Sequence, residues 1–570
     1  MRLVIQGTSA SRGLVLGRAR VREPHRIEVE QQNIGPERVE GEIARLDAAI
    51  AAAREELAGL RRQLQGALLH ELGDFLDLHD LLLDDPELLN GLRDLVGTGR
   101  YAAETALQMQ RDRLAKVFGA MDDPYFRSRQ EDIDHVIGRV YAALHRSHGE
   151  QPAQAGDIVV AENLAPTEVA RLVEQGVVAV VTALGSPLSH TAILARSLHL
   201  PLVVGAHEAI ERINDGDLLI VDAGSGEVLV EPGGEDLDRF QRRSKELDRE
   251  RRSLQRLRRK PTRTLDGHEI RLFANAESAA DAAEALSLDA AGIGLYRSEF
   301  LFLQGEGPPD EEQQFLAYRE LVERMDGRPV TIRTLDLGAD KADRFGLSLP
   351  GEDNPALGLR GLRLTLAQPG VFRVQLRAIL RAAVAGPVRI LLPMVSRREE
   401  LVAARELVRQ ARVELDAEGL EAGTDVTLGA MIEVPSAALA VDTLVDQVDF
   451  LSIGTNDLVQ YLMAADRGND AVADLHSPLQ PAVLRLLAQV VRTGAEAGVP
   501  VAVCGEMAAE PAYTRLLLAL GLTELSLHPS SLLEVRRMVR DSDRGRLRRR
   551  LRSLLAARDR DAIARWLDRD

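Results

Sequence analysis

Apolar positions along this chain change period several times, and each change marks a region. Residues 1–20 hold short apolar runs: Leu3, Val4 and Ile5, then Gly13-Leu-Val-Leu-Gly17, which read as a β segment. From 35 to 147 apolar residues recur at three and four, as in Ile43, Leu46, Ile50 and Leu57, Leu60, Leu64, the spacing of one helix face. Asp84-Asp85-Pro86 predicts a fresh helix with Pro86 in its first turn. Gly97-Thr98-Gly99 and Asp122-Asp123-Pro124 predict breaks, so the region reads as two long helical hairpins. Apolar runs at 158–160, 177–181, 202–204 and 218–221 then return as strands. An α/β domain therefore begins at the N-terminus, admits a helical insert and resumes near 150.

Residues 235–260 predict a charged helix with a thin apolar stripe of Leu237, Phe240, Leu247, Leu254 and Leu257. It reads as a solvated linker, with a surface helix of the next domain as the alternative. Beyond 262, apolar runs near 270–274, 292–295, 329–334, 388–394, 427–432, 449–453, 500–504 and 524–527 alternate mostly with helix-period stretches. Eight such runs in about 300 residues are the signature of a (β/α)8 barrel. The tail 541–570 is charged and helical in pattern. The fold class is thus α/β and multidomain. An α/β domain over 1–20 and 150–232 holds a helical insert at 21–149, a linker spans 233–261, and a barrel fills 262–570.

Composition narrows the function only a little. The formal net charge of −17 disfavours nucleic acid as the main partner, because phosphate binding needs a basic surface. No apolar run approaches the roughly 18 residues of a spanning helix, so no membrane insertion is expected. The N-terminus lacks the apolar region of a secretory signal. A single cysteine, Cys504, leaves no disulfide framework and fits a reducing cytoplasm.

Chemistry concentrates after the candidate barrel strands, where the active sites of such barrels lie. Asn275, Arg297-Ser-Glu299, Arg333-Thr-Leu-Asp336, Pro393-Met394, Glu433, Asn456-Asp457 and Cys504-Gly-Glu506 all follow strand runs. Arg297, Arg333 and Arg467 offer permanently charged forks for phosphate and carboxylate. Glu433 and Asp457 make a carboxylate pair of the kind that holds Mg2+ together with substrate oxygens and water. Cys504 is a candidate proton donor or acceptor. Each has a plainer role open to it: a structural ion pair, a cap on an arginine, a small apolar filler. Their convergence on one rim argues for a small-anion site.

His190 stands apart from the other histidines by its setting. Gly185-Ser-Pro-Leu188 reads as a turn, and Ser189 is a good N-cap for a helix from about His190 to Leu198. A phosphoryl group on that imidazole would lie beside free backbone N–H groups and the positive helix end. Thr191 is placed to add a hydroxyl contact.

At these residues the sequence resembles enzyme I of the phosphoenolpyruvate-dependent sugar phosphotransferase system, over nearly the whole chain. The resemblance is carried by Ser189-His-Thr-Ala-Ile-Leu-Ala-Arg196, Leu200-Pro-Leu-Val-Val-Gly205, Gly292-Ile-Gly-Leu-Tyr-Arg-Ser-Glu-Phe-Leu301 and Arg333-Thr-Leu-Asp-Leu-Gly-Ala-Asp-Lys341. Asn354-Pro-Ala-Leu-Gly-Leu-Arg360, Met431-Ile-Glu-Val-Pro435, Asp449-Phe-Leu-Ser-Ile-Gly-Thr-Asn-Asp-Leu458 and Asp466-Arg-Gly-Asn-Asp470 add to it. It implies that phosphoenolpyruvate binds through Arg297, Arg333, Asn456 and Arg467, with Asp457 beside it. Mg2+ would sit on Glu433 and Asp457. His190 would take the phosphoryl group, and Cys504 would protonate the enolate to pyruvate. The phosphoryl group would pass to a histidine of an HPr-type carrier docked on the helical insert around His79 to Leu88 and near Arg129 and Asp132. A homodimer joined through the barrel is implied as well.

The sequence departs from the family at three points. Gly185-Ser-Pro-Leu188 replaces a Gly-Gly lead-in, Ala339 replaces a glycine, and Ser298 replaces a threonine. A dikinase or synthase of the same superfamily would need a nucleotide-binding domain for which no length is spare. A nitrogen-related paralogue would carry an extra N-terminal sensory domain. A non-catalytic scaffold would not need the whole set of residues above.

Overall fold

Strands covered on both faces need nearly continuous apolar runs, and the first of two units, Met1–Asp248, is built on such strands. The computed structural model describes residues 3–22, 32–63, 76, 79–119, 133, 136–144, 153–187, 189–302, 307–338, 352, 354–466 and 470–568. Its first unit centres on a mixed eight-stranded sheet in the order β1-β8-β7-β3-β4-β5-β6-β2. The strands are β1 (Leu3–Gln6), β2 (Thr8–Ser11), β3 (Leu14–Val21), β4 (Asp157–Ala161), β5 (Ala179–Thr182), β6 (Leu202–Val204), β7 (Leu218–Asp222) and β8 (Glu227–Val230). The middle pairs β3–β4, β4–β5 and β5–β6 are parallel, and the outer pairs are antiparallel. In β4, Ile158 and Val160 face one apolar core while Val159 and Ala161 face another. That is why the run shows no polar alternation. The sequence pattern missed β8, a four-residue strand in a hairpin with β7 whose turn holds Gly226 at φ +75°.

The helical insert follows β3. It includes Val39–Gln63, Pro86–Gly97, with the proline at its first position, and Ala103–Gly119. The expected pair of hairpins falls partly on 64–75 and 120–132, outside the described residues. Leu46, Ala53, Leu57, Val96, Ala106 and Leu107 are buried, and their core runs on without a break into Val159, Val180 and Leu202 of the sheet. The insert thus covers one sheet face rather than standing apart from it.

The second unit, Arg249–Asp570, contains a closed barrel of eight parallel strands. These are β9 (Arg271–Ala276), β10 (Ile293–Arg297), β11 (Val330–Arg333), β12 (Val388–Leu392), β13 (Val426–Ile432), β14 (Phe450–Ile453), β15 (Val501–Val503) and β16 (Glu524–Leu527), so every expected run is a strand. Parallel pairing of β16 with β9 closes the ring. Outward residues such as Ile332, Ile390, Ile432 and Ile453 pack under the surrounding helices. Leu295, Leu391, Met431, Phe450 and Cys504 form a separate cluster inside the barrel. A register shift in β10 breaks strict alternation there: Ile293 and Tyr296, three apart, both join the outer core. The bulge turns Leu295 inward and gives Arg297 the same parity. Helix Gly234–Gln255 spans the division between the units and buries none of its residues. Among the described residues no helix is long and apolar enough to cross a membrane.

Candidate active site

The alternation of inward and outward residues aims the barrel chemistry. Arg333 ends β11, Glu433 follows β13 and Cys504 follows β15, each in step with inward neighbours such as Met431. Arg333 is buried, pairs with Glu299, and places Nη1 at 2.9 Å from Asp336 Oδ2. Asp336 also accepts from Arg360 Nε at 3.2 Å, and Arg360 Nη2 lies 3.5 Å from Asp457 Oδ2. Tyr461 completes the chain, its hydroxyl 3.3 Å from Arg360 Nη1. Burial opposes the Arg333 charge, yet Glu299, Asp336, Glu433 and Asp457 together raise its pKa. Burial would lift the Asp336 carboxyl, but Arg333 and Arg360 hold it low.

Glu433 is held differently. Its Oε1 accepts the backbone N–H of Met394 at 2.6 Å. Met394 adopts φ +57°, a left-handed conformation costly for a side chain with Cβ, and so presents that donor. Burial first, then the carboxylates of Asp336 and Asp457, push the Glu433 pKa up to about 8. Gly454 leaves room beside it, since a Cβ there would stand 2.7 Å from Glu433 Oε2.

The remaining rim residues are fixed from other loops. Arg297 Nη1 lies 3.1 Å from Glu277 Oε1 and stays partly exposed. Asn456 donates from Nδ2 to Glu506 Oε1 at 3.1 Å and accepts the Glu506 backbone N–H at 3.0 Å. Cys504 is buried, with Sγ 3.5 Å from the carbonyl of Ile453, and burial pushes its thiol up to about 11. It is therefore a protonated thiol at neutral pH. Arg467, and the Ala339 departure, lie outside the described residues.

In the first unit, His190 opens helix His190–Ser197, and Ser189 caps it by accepting the Ala192 N–H at 3.3 Å. The imidazole itself lies outside the described side chains. Gly185, at φ +105°, needs glycine, and Arg196 Nη1 donates to the Pro187 carbonyl at 2.9 Å, so the lead-in is tied to the helix it precedes. The expected hydroxyl contact from Thr191 is corrected: its hydroxyl is buried and donates to the Leu164 carbonyl at 2.7 Å, so its proton serves packing. Within the stretch 79–88, His79, Leu83 and Leu88 are buried and Leu81 is 68% exposed. Arg129 and Asp132 lie outside the described residues.

Three family models match in chain order: "PEP-utilising enzyme, N-terminal" over residues 6–129, "PEP-utilising enzyme, mobile domain" over 153–226 and "PEP-utilising enzyme, PEP-binding domain" over 251–544. A phosphoenolpyruvate-protein phosphotransferase of Cupriavidus necator is 44% identical over 95% of this chain and 94% of its own. The chain belongs to the phosphoenolpyruvate-protein phosphotransferase family. Members from Priestia megaterium and Geobacillus stearothermophilus are 37% and 39% identical, over 97% and 93% of this chain and 96% and 92% of their own.

A phosphoenolpyruvate-utilising site calls for a metal, and the residues present fit one. Glu433 and Asp457 offer hard oxygen donors, Asp457 Oδ1 is buried without a hydrogen-bond partner, and Gly454 keeps a Glu433 oxygen clear. Among the described residues no group of three or more His, Cys, Asp or Glu could form a protein-only cage. Two carboxylates suit an ion that keeps water and substrate oxygens as its other ligands.

The sequence reading gave Asp336, Arg360, Glu299 and Glu506 no role, although all lie within or beside its motifs. For Glu299, Asp336 and Glu506 a signal was present, since each is charged and close after a strand run; Arg360 lies far along the loop after β11 and carried no such signal. Which side chains they meet depends on loops far apart in sequence. Ser298 is fully buried and accepts from Gln375 Nε2 at 3.0 Å, so the hydroxyl kept at this departure holds the loop, not a ligand.

Proposed function

We infer that the chain is a phosphoenolpyruvate-protein phosphotransferase: it takes the phosphoryl group of phosphoenolpyruvate onto His190, releases pyruvate, and passes the group to a histidine of an HPr-type carrier in the first step of sugar uptake. The observation that carries this is the rim of the barrel, where Arg333, Asp336, Arg360 and Asp457 form one chain of ion pairs beside a buried Glu433. The reading is supported by relatives of that name over nearly the whole chain.

Phosphoryl transfer asks a protein for position and charge neutralisation. Arg297, Arg333 and Arg467 would grip phosphate and carboxylate oxygens, and Asn456, its amide oriented by Glu506, would add a directed contact. Mg2+ held by Glu433 and Asp457 would neutralise developing charge on the phosphoryl and enolate oxygens. The neutral imidazole of His190 attacks phosphorus, the bond from phosphorus to the enolate oxygen breaks, and Cys504 delivers its proton to the enolate carbon. A thiol that stays protonated at neutral pH suits that donation. His190 and the rim belong to different units, so the histidine has to serve the barrel and the carrier in turn.

The domain assignment that goes with this reading is a phosphohistidine domain at 1–20 and 150–232, a carrier-binding insert at 21–149, a linker at 233–261 and a phosphoenolpyruvate-binding and dimerisation barrel at 262–570. Action in the cytoplasm as a homodimer completes it. The test is incubation with phosphorus-labelled phosphoenolpyruvate and Mg2+. Acid-labile, base-stable label that disappears in His190→Ala and moves to an added carrier is the expected result; no label in the absence of ATP overturns the reading.

A further inference from the structure

Helix Pro369–Ala382 packs against the outside of the barrel wall, and Phe372, Leu376 and Ile379 form a fully buried stripe along it. Gln375 lies on the same stripe and is equally buried. A polar side chain at such a position costs stability unless its groups find partners. Those of Gln375 do. Oε1 accepts the backbone N–H of Leu335 at 2.9 Å. Nε2 donates to the hydroxyls of Ser298 at 3.0 Å and Tyr318 at 3.1 Å. A backbone N–H can only donate, so the bond from Leu335 fixes which way the amide faces. Tyr318 carries the chain on: its hydroxyl donates to Gln314 Oε1 at 3.1 Å, and Gln314 Nε2 donates to the Pro309 carbonyl at 2.9 Å.

The points of attachment matter more than the number of bonds. Strand β11 ends at Arg333, and the N–H of Thr334 still donates to the Leu391 carbonyl of β12, but that of Leu335 lies beyond the ladder. Gln375 takes it up. Ser298 is the residue that follows β10. Next after Leu335 comes Asp336, and next after Ser298 comes Glu299, the two carboxylates that grip the buried guanidinium of Arg333. One amide thus holds the residue immediately before each of them. Arg333 Nε and Glu299 Oε2 are buried without a hydrogen-bond partner. Where the open donor of Arg333 points depends on where both carboxylates stand.

We propose, on the reading of the rim given above, that Gln375 is a positioning residue for phosphoenolpyruvate binding: its amide sets the spacing between the loops after β10 and β11, and so aims the guanidinium of Arg333 at the anion. A planar fork grips a phosphate or carboxylate only in register, so an error of about 1 Å at either loop weakens binding beyond the hydrogen bonds lost. An amide suits the post because it accepts on one arm and donates twice from the other. A hydrocarbon side chain of the same length fills the space and ties neither loop. Every group involved belongs to the barrel unit.

The test measures phosphoenolpyruvate affinity with Mg2+ by calorimetry on the full-length chain, in a His190→Ala background so that no transfer occurs, beside the denaturant midpoint of each variant. Gln375→Met keeps the volume and cuts both ties, and Ser298→Ala cuts one. Tyr318→Phe leaves both bonds from Gln375 to the loops and controls for lost stability alone. Expected are lower midpoints in all three. Affinity should weaken about tenfold or more in Gln375→Met and about threefold in Ser298→Ala, and stay within about twofold of the parent in Tyr318→Phe. In an Arg333→Lys background no fork remains to be aimed, so Gln375→Met should weaken affinity by less than about twofold more. Affinity within about twofold of the parent in Gln375→Met, or in Ser298→Ala if the first does not fold, overturns the proposal. So does an equal loss in Tyr318→Phe, or the full loss repeated on top of Arg333→Lys, since either marks general damage to the barrel. A parent that does not bind phosphoenolpyruvate overturns the function reading itself; a parent that binds, with unaffected variants, overturns the positioning role alone.

Discussion

The barrel carries an arginine–carboxylate cluster at each end of its strands, and the two use the same residue types for opposite purposes. At the N-terminal end, Arg271 opens β9, Arg389 is the second residue of β12 and Glu524 opens β16. Glu524, almost fully buried, receives both arginines, with Arg389 Nη1 at 3.2 Å. Both guanidinium planes stand over Phe273, at 5.7 and 5.4 Å from the ring centre, and Arg389 also covers Phe450. None of these three leaves a buried polar atom without a partner. At the C-terminal end carboxylates crowd together, and Glu299 Oε2, Arg333 Nε and Asp457 Oδ1 are buried with no hydrogen bond. A closed set of partners is a plug; an open set is a place for something to bind. Conserving energy at one end and withholding it at the other is the division of labour expected of such barrels.

Removing charge at the open end should have the largest effect. Glu433→Gln and Asp457→Asn should each lower His190 loading by about a thousandfold or more, since in the proposed reading these two carboxylates hold the metal. Thermal stability should hold in Glu433→Gln, where an amide replaces a carboxyl already pushed towards its neutral form; a variant that loads normally would break the contrast. Cys504→Ala should slow pyruvate-forming turnover by about 10²–10⁴. Its thiol ionises only near pH 11, so the parent's rate should show no thiol titration between pH 6 and 9 in a pH–rate profile. At the closed end, Glu524→Gln should cost about 3 kcal/mol in denaturant unfolding, while affinity for phosphoenolpyruvate stays unchanged. If loading fell as far as stability, the two ends would not be separable. The smallest effect is expected of Ser298→Ala, about 1 kcal/mol from the lost bond to Gln375, read as a shift in melting temperature.

Much of this was legible in the residues before any fold was seen. Eight apolar runs placed eight strands because a parallel barrel strand is covered on its outer face by helices and filled on its inner face by side chains. The residue after a run is then a rim residue, which made Arg333, Glu433 and Cys504 visible. Ser189 announced a helix start because a hydroxyl can accept an orphan N–H, as it does from Ala192. Strand β8 escaped because four residues in a hairpin carry too little pattern. Thr191 was misjudged because a hydroxyl beside a reactive residue looks the same in sequence whether it faces a ligand or, as here, the Leu164 carbonyl.

By itself, then, the sequence determined the order of strands and helices, the rim positions and the capped helix that carries His190, because these follow from local periodicity and capping. Only the tertiary structure decided which charges are satisfied. Arg333 and Arg389 are both arginines on barrel strands; one meets Asp336, three residues on, among partners left unsatisfied, and the other meets Glu524, 135 residues away, in a closed cluster. Arg536 meets carbonyls 247 to 279 residues back along the chain. Partners so distant leave no period in the sequence. Whether a charged side chain plugs, clasps or binds is settled by which oxygens the closed barrel brings to it.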